Sequence, residues 1–240
     1  MIGAILGTAF HDVDLGAEPV DVNTPFGPAT LHRRGDSWLL FRHGLPHRVL
    51  PHRINWRANA WALRALGVRS LLVTSSVGVL DPAVPLFQPL LVEDILWPDM
   101  RLPSGEVCTL AEDFHLVLDE GLVSLDLNRQ LRELGGELPG VVFAYVPGPR
   151  TKTRAENRWW AAQGAQVNSM SVAPELVLAN ELEIPCAALV VGHKHSHPAV
   201  PTVEGIAASL ESSRTAQLAL IEAFLERAEP VEFNNRLYRF

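Results

Sequence analysis

Asn55-Trp56-Arg57-Ala58-Asn59-Ala60-Trp61-Ala62-Leu63-Arg64-Ala65-Leu66-Gly67-Val68-Arg69-Ser70-Leu71-Leu72-Val73 changes period partway along its length. Trp56, Ala60, Leu63 and Leu66 recur at helical spacing, so one face of a helix is apolar. Ser70 to Val73 is then a short apolar run of the kind that suits a strand covered on both faces. The same alternation spreads outward in both directions. Gly3 to Leu6, Trp38 to Phe41, Val141 to Tyr145 and Ala187 to Val191 read as further strands. Ser124 to Leu134 carries a leucine stripe at Leu125, Leu127, Leu131 and Leu134. Another helix begins near Pro174, at the first-turn position proline favours, and runs to about Leu182. A last one spans about Val203 to Arg227. Strands alternating with helices predict an α/β fold with helices on both faces of a sheet. Residues 94 to 116, with Pro98, Pro103 and Gly105, read as a surface loop.

The chain has 240 residues, enough for one sizeable core, and 48% of them are hydrophobic. A single domain spanning 1–240 is the expectation. The net charge of -7 argues against a broad nucleic-acid surface, while leaving room for a local pocket that binds a small anion. Cys108 and Cys186 are the only cysteines and read as buried thiols without a disulfide framework. The first residues lack a basic, signal-like start, and no run approaches the roughly twenty apolar residues of a membrane span. A cytoplasmic protein without a membrane partner is expected.

Four stretches carry chemistry. Gly7-Thr8 ends the first strand, where a glycine lets backbone approach an anion and the threonine hydroxyl can donate to it. Arg42-His43 follows the strand ending at Phe41. An arginine there needs an anion, and a structural pair with a carboxylate is the alternative. An acid buried against Arg42 would tell against an enzymatic reading. Thr74-Ser75-Ser76 reads as a strand running into small hydroxyl residues, at the carboxyl end where ligands gather in parallel sheets; an ordinary Ser-rich turn is the alternative. Asn168-Ser169-Met170-Ser171 leads into the helix near Pro174, whose first amides and dipole favour an anion. Met170 offers a flexible apolar surface, and is read equally as core.

In this order and at these spacings, the four stretches resemble the purine nucleoside phosphorylase and methylthioadenosine phosphorylase family of the trimeric class. Thr24-Pro25-Phe26-Gly27, the segment from Asn55 to Leu63, and Gly148-Pro149-Arg150 with Arg154-Ala155-Glu156 extend the likeness over nearly the whole chain. The resemblance implies a single α/β domain around a mixed, partly barrel-like sheet, assembled as a homotrimer. It implies phosphorolysis of a nucleoside to free base and pentose 1-phosphate, with inorganic phosphate as co-substrate and no other cofactor. Carried over residue by residue, it makes Thr8, Arg42, His43, Ser75, Ser76 and Ser171 the phosphate ligands and sets Met170 against the sugar.

The likeness weakens at Gly192-His193-Lys194-His195-Ser196-His197. Family members offer carboxylates to a 6-amino purine or an asparagine to a 6-oxo purine there. Here Lys194 and Ser196 replace the aspartates, and His193 takes the asparagine position. Lysine cannot accept a hydrogen bond from an amino group, whereas lysine or histidinium can donate to a carbonyl or to a departing base. His193 and Lys194 are therefore the candidate catalytic residues, with Ser196 beside them at the base, and unmodified adenine is disfavoured. Thr151-Lys152 departs from the 6-oxopurine pattern in the same sense. His193, His195 and His197 alternate, so in an extended segment they share a side. Zinc binding, a base-binding patch and a solvated loop all suit that spacing, and no metal is expected. A non-catalytic relative that binds nucleoside or phosphate, and a hydrolase in which water replaces phosphate, are the competing functions.

Overall fold

The computed structural model describes residues 1–196 and 206–240. Among the described residues, eleven strands and five α-helices alternate. β1 (Ile2–Leu6) leads into a hairpin, β2 (Glu18–Thr24) and β3 (Gly27–Arg34), and then β4 (Ser37–Phe41). After α1 (Trp56–Ala65) come β5 (Ser70–Val79), β6 (Pro89–Leu96) and β7 (Phe114–Val117). α2 (Leu125–Gly135), β8 (Gly140–Tyr145), α3 (Arg154–Ala162), β9 (Val167–Ser169) and α4 (Ala173–Glu181) follow. β10 (Cys186–His195), α5 (Ile206–Arg227) and β11 (Arg236–Arg239) complete the chain.

Helix starts follow local chemistry. Asn55 accepts from the Ala58 N–H to cap α1, Ser124 caps α2, and Thr153 with Glu156 forms a reciprocal capping box at α3. Each satisfies amides that a helix leaves unpaired in its first turn.

Nine strands form one sheet in the order β10-β6-β8-β9-β5-β1-β4-β3-β2, and β10 also pairs with β5. That extra pairing closes β5, β10, β6, β8 and β9 into a ring, from which the remaining four strands extend as an open wing. Period two sorts the side chains into two cores. Ile5, Leu71, Val73, Ala188 and Val190 join the cluster that includes α1 and α4. Their neighbours Ala4, Leu72, Ala187 and Leu189 join the cluster beneath α2 and α5. Helices thus cover both faces, as the alternating pattern requires.

β5 creates the opening in this architecture. Its first residues, Ser70 to Val73, pair with β1, and its last two, Gly78 and Val79, pair with β9 on the same edge. Thr74 to Val77 lie in the fork between those two partners and keep β10 on the other edge. The Ser-rich turn held as the alternative at Thr74-Ser75-Ser76 is absent, and these residues are the middle of a long strand. Small hydroxyl residues read as a break in sequence, yet the β10 ladder holds them extended.

Other boundaries differ from expectation. The segment after Val191 stays in β10 as far as His195, and the presumed loop of residues 94–116 is bounded by β6 and β7 at its ends. The hairpin of β2 and β3 has polar outer faces and gives no apolar run to read. His197 and the expected helix start at Val203 lie outside the described residues. Cys108 and Cys186 are buried free thiols. Among the described residues no helix is long and apolar enough to cross a membrane.

Candidate active site

A cavity of about 710 Å³ opens at the fork in β5. Thr8, Arg42, His43, Ser75, Ser76 and Ser171 all line it, as do Met170, His193, Lys194 and Ser196. These ten residues, given site roles from the sequence, all reach this one space.

One end is built from hydroxyls. Ser75 Oγ lies 3.1 Å from Ser171 Oγ and 3.3 Å from Ser169 Oγ, and the latter two are 3.5 Å apart. Ser76 Oγ is buried and has no partner among the described residues. Thr74 faces away from this group. Its Oγ1 accepts from the Gly7 N–H and donates to the Ile5 carbonyl, pinning the turn out of β1. Gly7 is required there, because a Cβ would stand 3.0 Å from Arg42 Nη1 and 3.1 Å from the Thr74 carbonyl oxygen.

Arg42 departs from expectation. Its Nε–H donates to Glu175 Oε1 at 2.6 Å and its Nη2–H to Glu175 Oε2 at 2.7 Å, and both side chains are buried. The structural carboxylate pair, held above as the alternative, is therefore present. Nη1 takes no part in it, and Arg42 still lines the cavity. The pair fixes the guanidinium plane and cancels most of its charge.

Glu175 has a second task, accepting from the Val172 N–H at 3.0 Å. Val172 sits at φ 74°, ψ -65°, and the Ala173 N–H closes onto the Ser171 carbonyl at 3.0 Å. This is a positive-φ γ-turn, a strained conformation for a β-branched residue. It turns the chain directly from Ser171 into α4.

His43 donates from Nδ1 to the Val49 carbonyl at 2.7 Å, because a carbonyl can only accept. Its ring stacks on His47 with centroids 4.4 Å apart. Burial, reinforced by the neighbouring Arg42 charge, pushes His43 down to about 3. The neutral ring leaves Nε2 as an acceptor. His43 can thus meet a phosphate hydroxyl or water through that nitrogen, but cannot donate from it.

The other end is cationic. β10 carries a register shift at His193, so that Gly192 pairs with Val77 while Lys194 pairs with Gly78. A regular strand would send His193 and Lys194 to opposite sides. With the irregularity, His193, Lys194 and His195 all border the cavity. His193 and His195 thus border the same cavity, as their alternation led one to expect, and Lys194 joins them. Among the described residues no group of His, Cys, Asp or Glu is arranged to hold a metal.

Burial, then the charges of Lys194 and Lys152, push His193 down to about 4. It is neutral near pH 7, so the histidinium considered above is absent and the ammonium groups are the cationic donors. Lys152 joins them from the segment before α3. Burial and then Lys194 bring it down to about 8, with Glu156 opposing.

Two buried asparagines complete this end. Asn157 Nδ2 must donate to the Ser196 carbonyl (2.8 Å), which turns its Oδ1 toward Asn168. Asn168 Nδ2 then donates to that oxygen at 3.3 Å. The network fixes both amides and leaves Asn168 Oδ1 buried with no partner among the described residues. Ser169, Lys152, Asn157 and Asn168 were not among the residues assigned from sequence. Lys152 and the Asn168-Ser169 pair were visible in stretches already singled out, but Asn157 gave no signal.

The chain matches the phosphorylase superfamily model over residues 2–226. It belongs to that superfamily. It is 36% identical to an S-methyl-5'-thioadenosine phosphorylase of Mycolicibacterium smegmatis, over 80% of this chain and 75% of the relative. It is 32% identical to a probable S-methyl-5'-thioinosine phosphorylase of Methanopyrus kandleri, over 95% of this chain and 93% of the relative. Its fold matches methylthioadenosine phosphorylase from Schistosoma mansoni in complex with adenine, with a TM-score of 0.78 and 23% identity over 94% of this chain and 89% of that one. The family, fold class and enzyme class expected from the sequence agree with these findings. The Arg42–Glu175 pair consequently does not reduce the chain to architecture alone.

Proposed function

We propose that the chain catalyses phosphorolysis of a purine-type or 5'-methylthio nucleoside to free base and pentose 1-phosphate, and that unmodified adenine is not its preferred base. The observation that carries this reading is the meeting of Thr8, Arg42, Ser75, Ser76 and Ser171 in one cavity that Met170, Lys152 and Lys194 also line. A phosphate at the hydroxyl end would take hydrogen bonds from the serines, from Thr8 and from Arg42 Nη1. Glu175 cancels the arginine charge, so directed donors carry more of the binding than net charge does. Such an arrangement holds the nucleophile in line and stabilises charge without reorganising in the transition state.

At the far end the departing base takes up the bonding electrons. Lys194 and Lys152 are the donors placed to stabilise it, with His193 as a neutral neighbour. Lysines in place of carboxylates disfavour a base read through its amino group. The reading extends to one unit over 1–240, to phosphate as co-substrate without a further cofactor, to a homotrimer and to a cytoplasmic setting.

A panel of amino-, oxo- and methylthio-nucleosides incubated with phosphate tests the proposal. Formation of free base together with sugar phosphate is expected. Absence of turnover across the panel would remove the reading.

A further inference from the structure

The cavity has two positive poles, and only one of them is balanced. At the hydroxyl end Glu175 neutralises Arg42. At the other end Lys152, His193 and Lys194 line the same cavity. Among the described residues, no Asp or Glu lines the cavity. Glu156, the acid that acts on Lys152, is already held by Arg150 at 2.7 and 2.9 Å and by the Thr153 N–H at 2.7 Å. In a chain of net charge -7, two ammonium groups gathered in a half-buried space with no carboxylate among the described residues are costly unless an anion meets them.

Register places an acceptor beside them. Lys194 pairs with Gly78, and Gly78 pairs on its other edge with Asn168. Across three adjacent strands the row reads lysine, glycine, asparagine, spanning roughly 10 Å at the usual strand spacing, and the Ser196 side chain packs over Gly78 beside Asn168 Oδ1. Asn168 Oδ1, in a side chain 1% exposed, has no partner among the described residues. A ligand that satisfies this row brings negative charge to the lysines and an N–H to the asparagine.

From this arrangement we infer that the base end takes an acidic oxo heterocycle, a purine-type base with an imide nitrogen between two carbonyls, bound as its anion between Lys152 and Lys194 and donating one ring N–H to Asn168 Oδ1. The inference rests on the phosphorolysis reading for the sugar and phosphate. A 6-amino base could donate to Asn168 Oδ1, but it is neutral and turns its amino donors toward the lysine donors. A mono-oxo base is neutral and leaves the ammonium charges unmatched. In the reaction, a phosphate oxygen bonds to the sugar anomeric carbon as the carbon–nitrogen bond breaks, and the bonding pair goes to the base nitrogen. Because the imide has already lost its proton, the departing ring takes one from a lysine ammonium, which solvent reprotonates after release.

The test compares a dioxopurine nucleoside with its mono-oxo and 6-amino counterparts, in wild type and in Lys152→Met and Lys194→Met. Charge-assisted hydrogen bonds predict a kcat/KM advantage of about tenfold or more for the dioxo substrate, and a loss of roughly that factor in each variant. The KM for phosphate should stay within about threefold, since the lysines lie at the opposite pole. The advantage should also fade as pH drops below the ionisation of the imide. Equal or better turnover of the neutral nucleosides, or a selectivity ratio that ignores both lysines, overturns the inference. So does lysine-dependent binding of a nucleoside 5'-phosphate in preference to the dioxo base.

If no nucleoside is cleaved, the phosphorolysis reading fails separately. Calorimetric titration of the free dioxo and mono-oxo bases then decides this one. Binding that prefers the dioxo base and is lost in either lysine variant supports it, and lysine-independent or absent binding overturns it. Melting curves of the variants confirm that each is folded.

Discussion

Arg42 and Glu175 meet as a buried two-point pair, which ties the residue that leaves β4 to the first turn of α4, 133 positions away. The same carboxylate holds the Val172 N–H, so one acid positions both a guanidinium and the strained turn that presents Ser171. The hydroxyl end of the cavity is consequently rigid and nearly neutral.

Removing the acid should expose that dependence. Glu175→Ala leaves a buried guanidinium uncompensated and is expected to destabilise the fold by about 3–5 kcal/mol. Urea denaturation measures the loss. Added phosphate should recover part of it in the variant, because the anion then supplies the missing charge. A loss below about 1 kcal/mol would contradict the account.

Gly7 permits the close approach of Arg42 Nη1 and the Thr74 carbonyl. Gly7→Ala should crowd both, at about 1–3 kcal/mol, and should raise the KM for phosphate more than it alters the affinity for nucleoside. Steady-state kinetics with each substrate varied in turn checks this split.

The serine group carries a graded expectation. Ser171→Ala and Ser75→Ala each remove one donor to an anion, which predicts a loss of about 1.5–3 kcal/mol in phosphate binding, while folding stability changes little. Phosphate titration followed by melting temperature reads the effect. Thr74→Ser should retain activity, because the Thr74 hydroxyl serves the Gly7 turn and not the cavity.

Two histidines predict an acid-sensitive fold. Both start from 6.5, and the folded chain holds His43 near 3 and His193 near 4, in each case chiefly by burial. The unfolded chain therefore binds more protons between those values and 6.5. Their contribution to stability is complete above about pH 6.5. It is lost as pH falls, through about 4 for His193 and about 3 for His43. Denaturation midpoints from pH 7.5 downward should fall in this window, and His193→Gln should flatten its upper part. A midpoint unchanged by acid would contradict the burial of both rings.

The architecture was legible where one physical signal dominates. Short continuous apolar runs marked β1, β4, β8, β10 and the start of β5, and the stripe from Trp56 to Leu66 marked α1. β5 beyond Val73 was not legible, because Thr74, Ser75 and Ser76 have turn-like composition and only the β10 ladder keeps them extended. The register shift at His193 was equally hidden, since it depends on how β10 meets β5. The hydroxyl end was readable where Thr8 and Arg42 follow strands and Ser171 precedes a helix, whereas Ser75 and Ser76 lie within β5. Glu175 was overlooked as a partner because its role is set by a contact far away in sequence. Lys152 stood out as unusual, yet only folding brings its charge beside Lys194.

The central claim is that one cavity brings inorganic phosphate and a nucleoside together so that phosphate cleaves the glycosidic bond. Phosphorus NMR on the wild-type protein with nucleoside and phosphate follows this directly. The account predicts that the inorganic phosphate signal converts into a pentose 1-phosphate signal in step with release of free base, and that Arg42→Ala suppresses both. Release of base that proceeds equally well without phosphate, leaving the phosphorus signal unchanged, would contradict it.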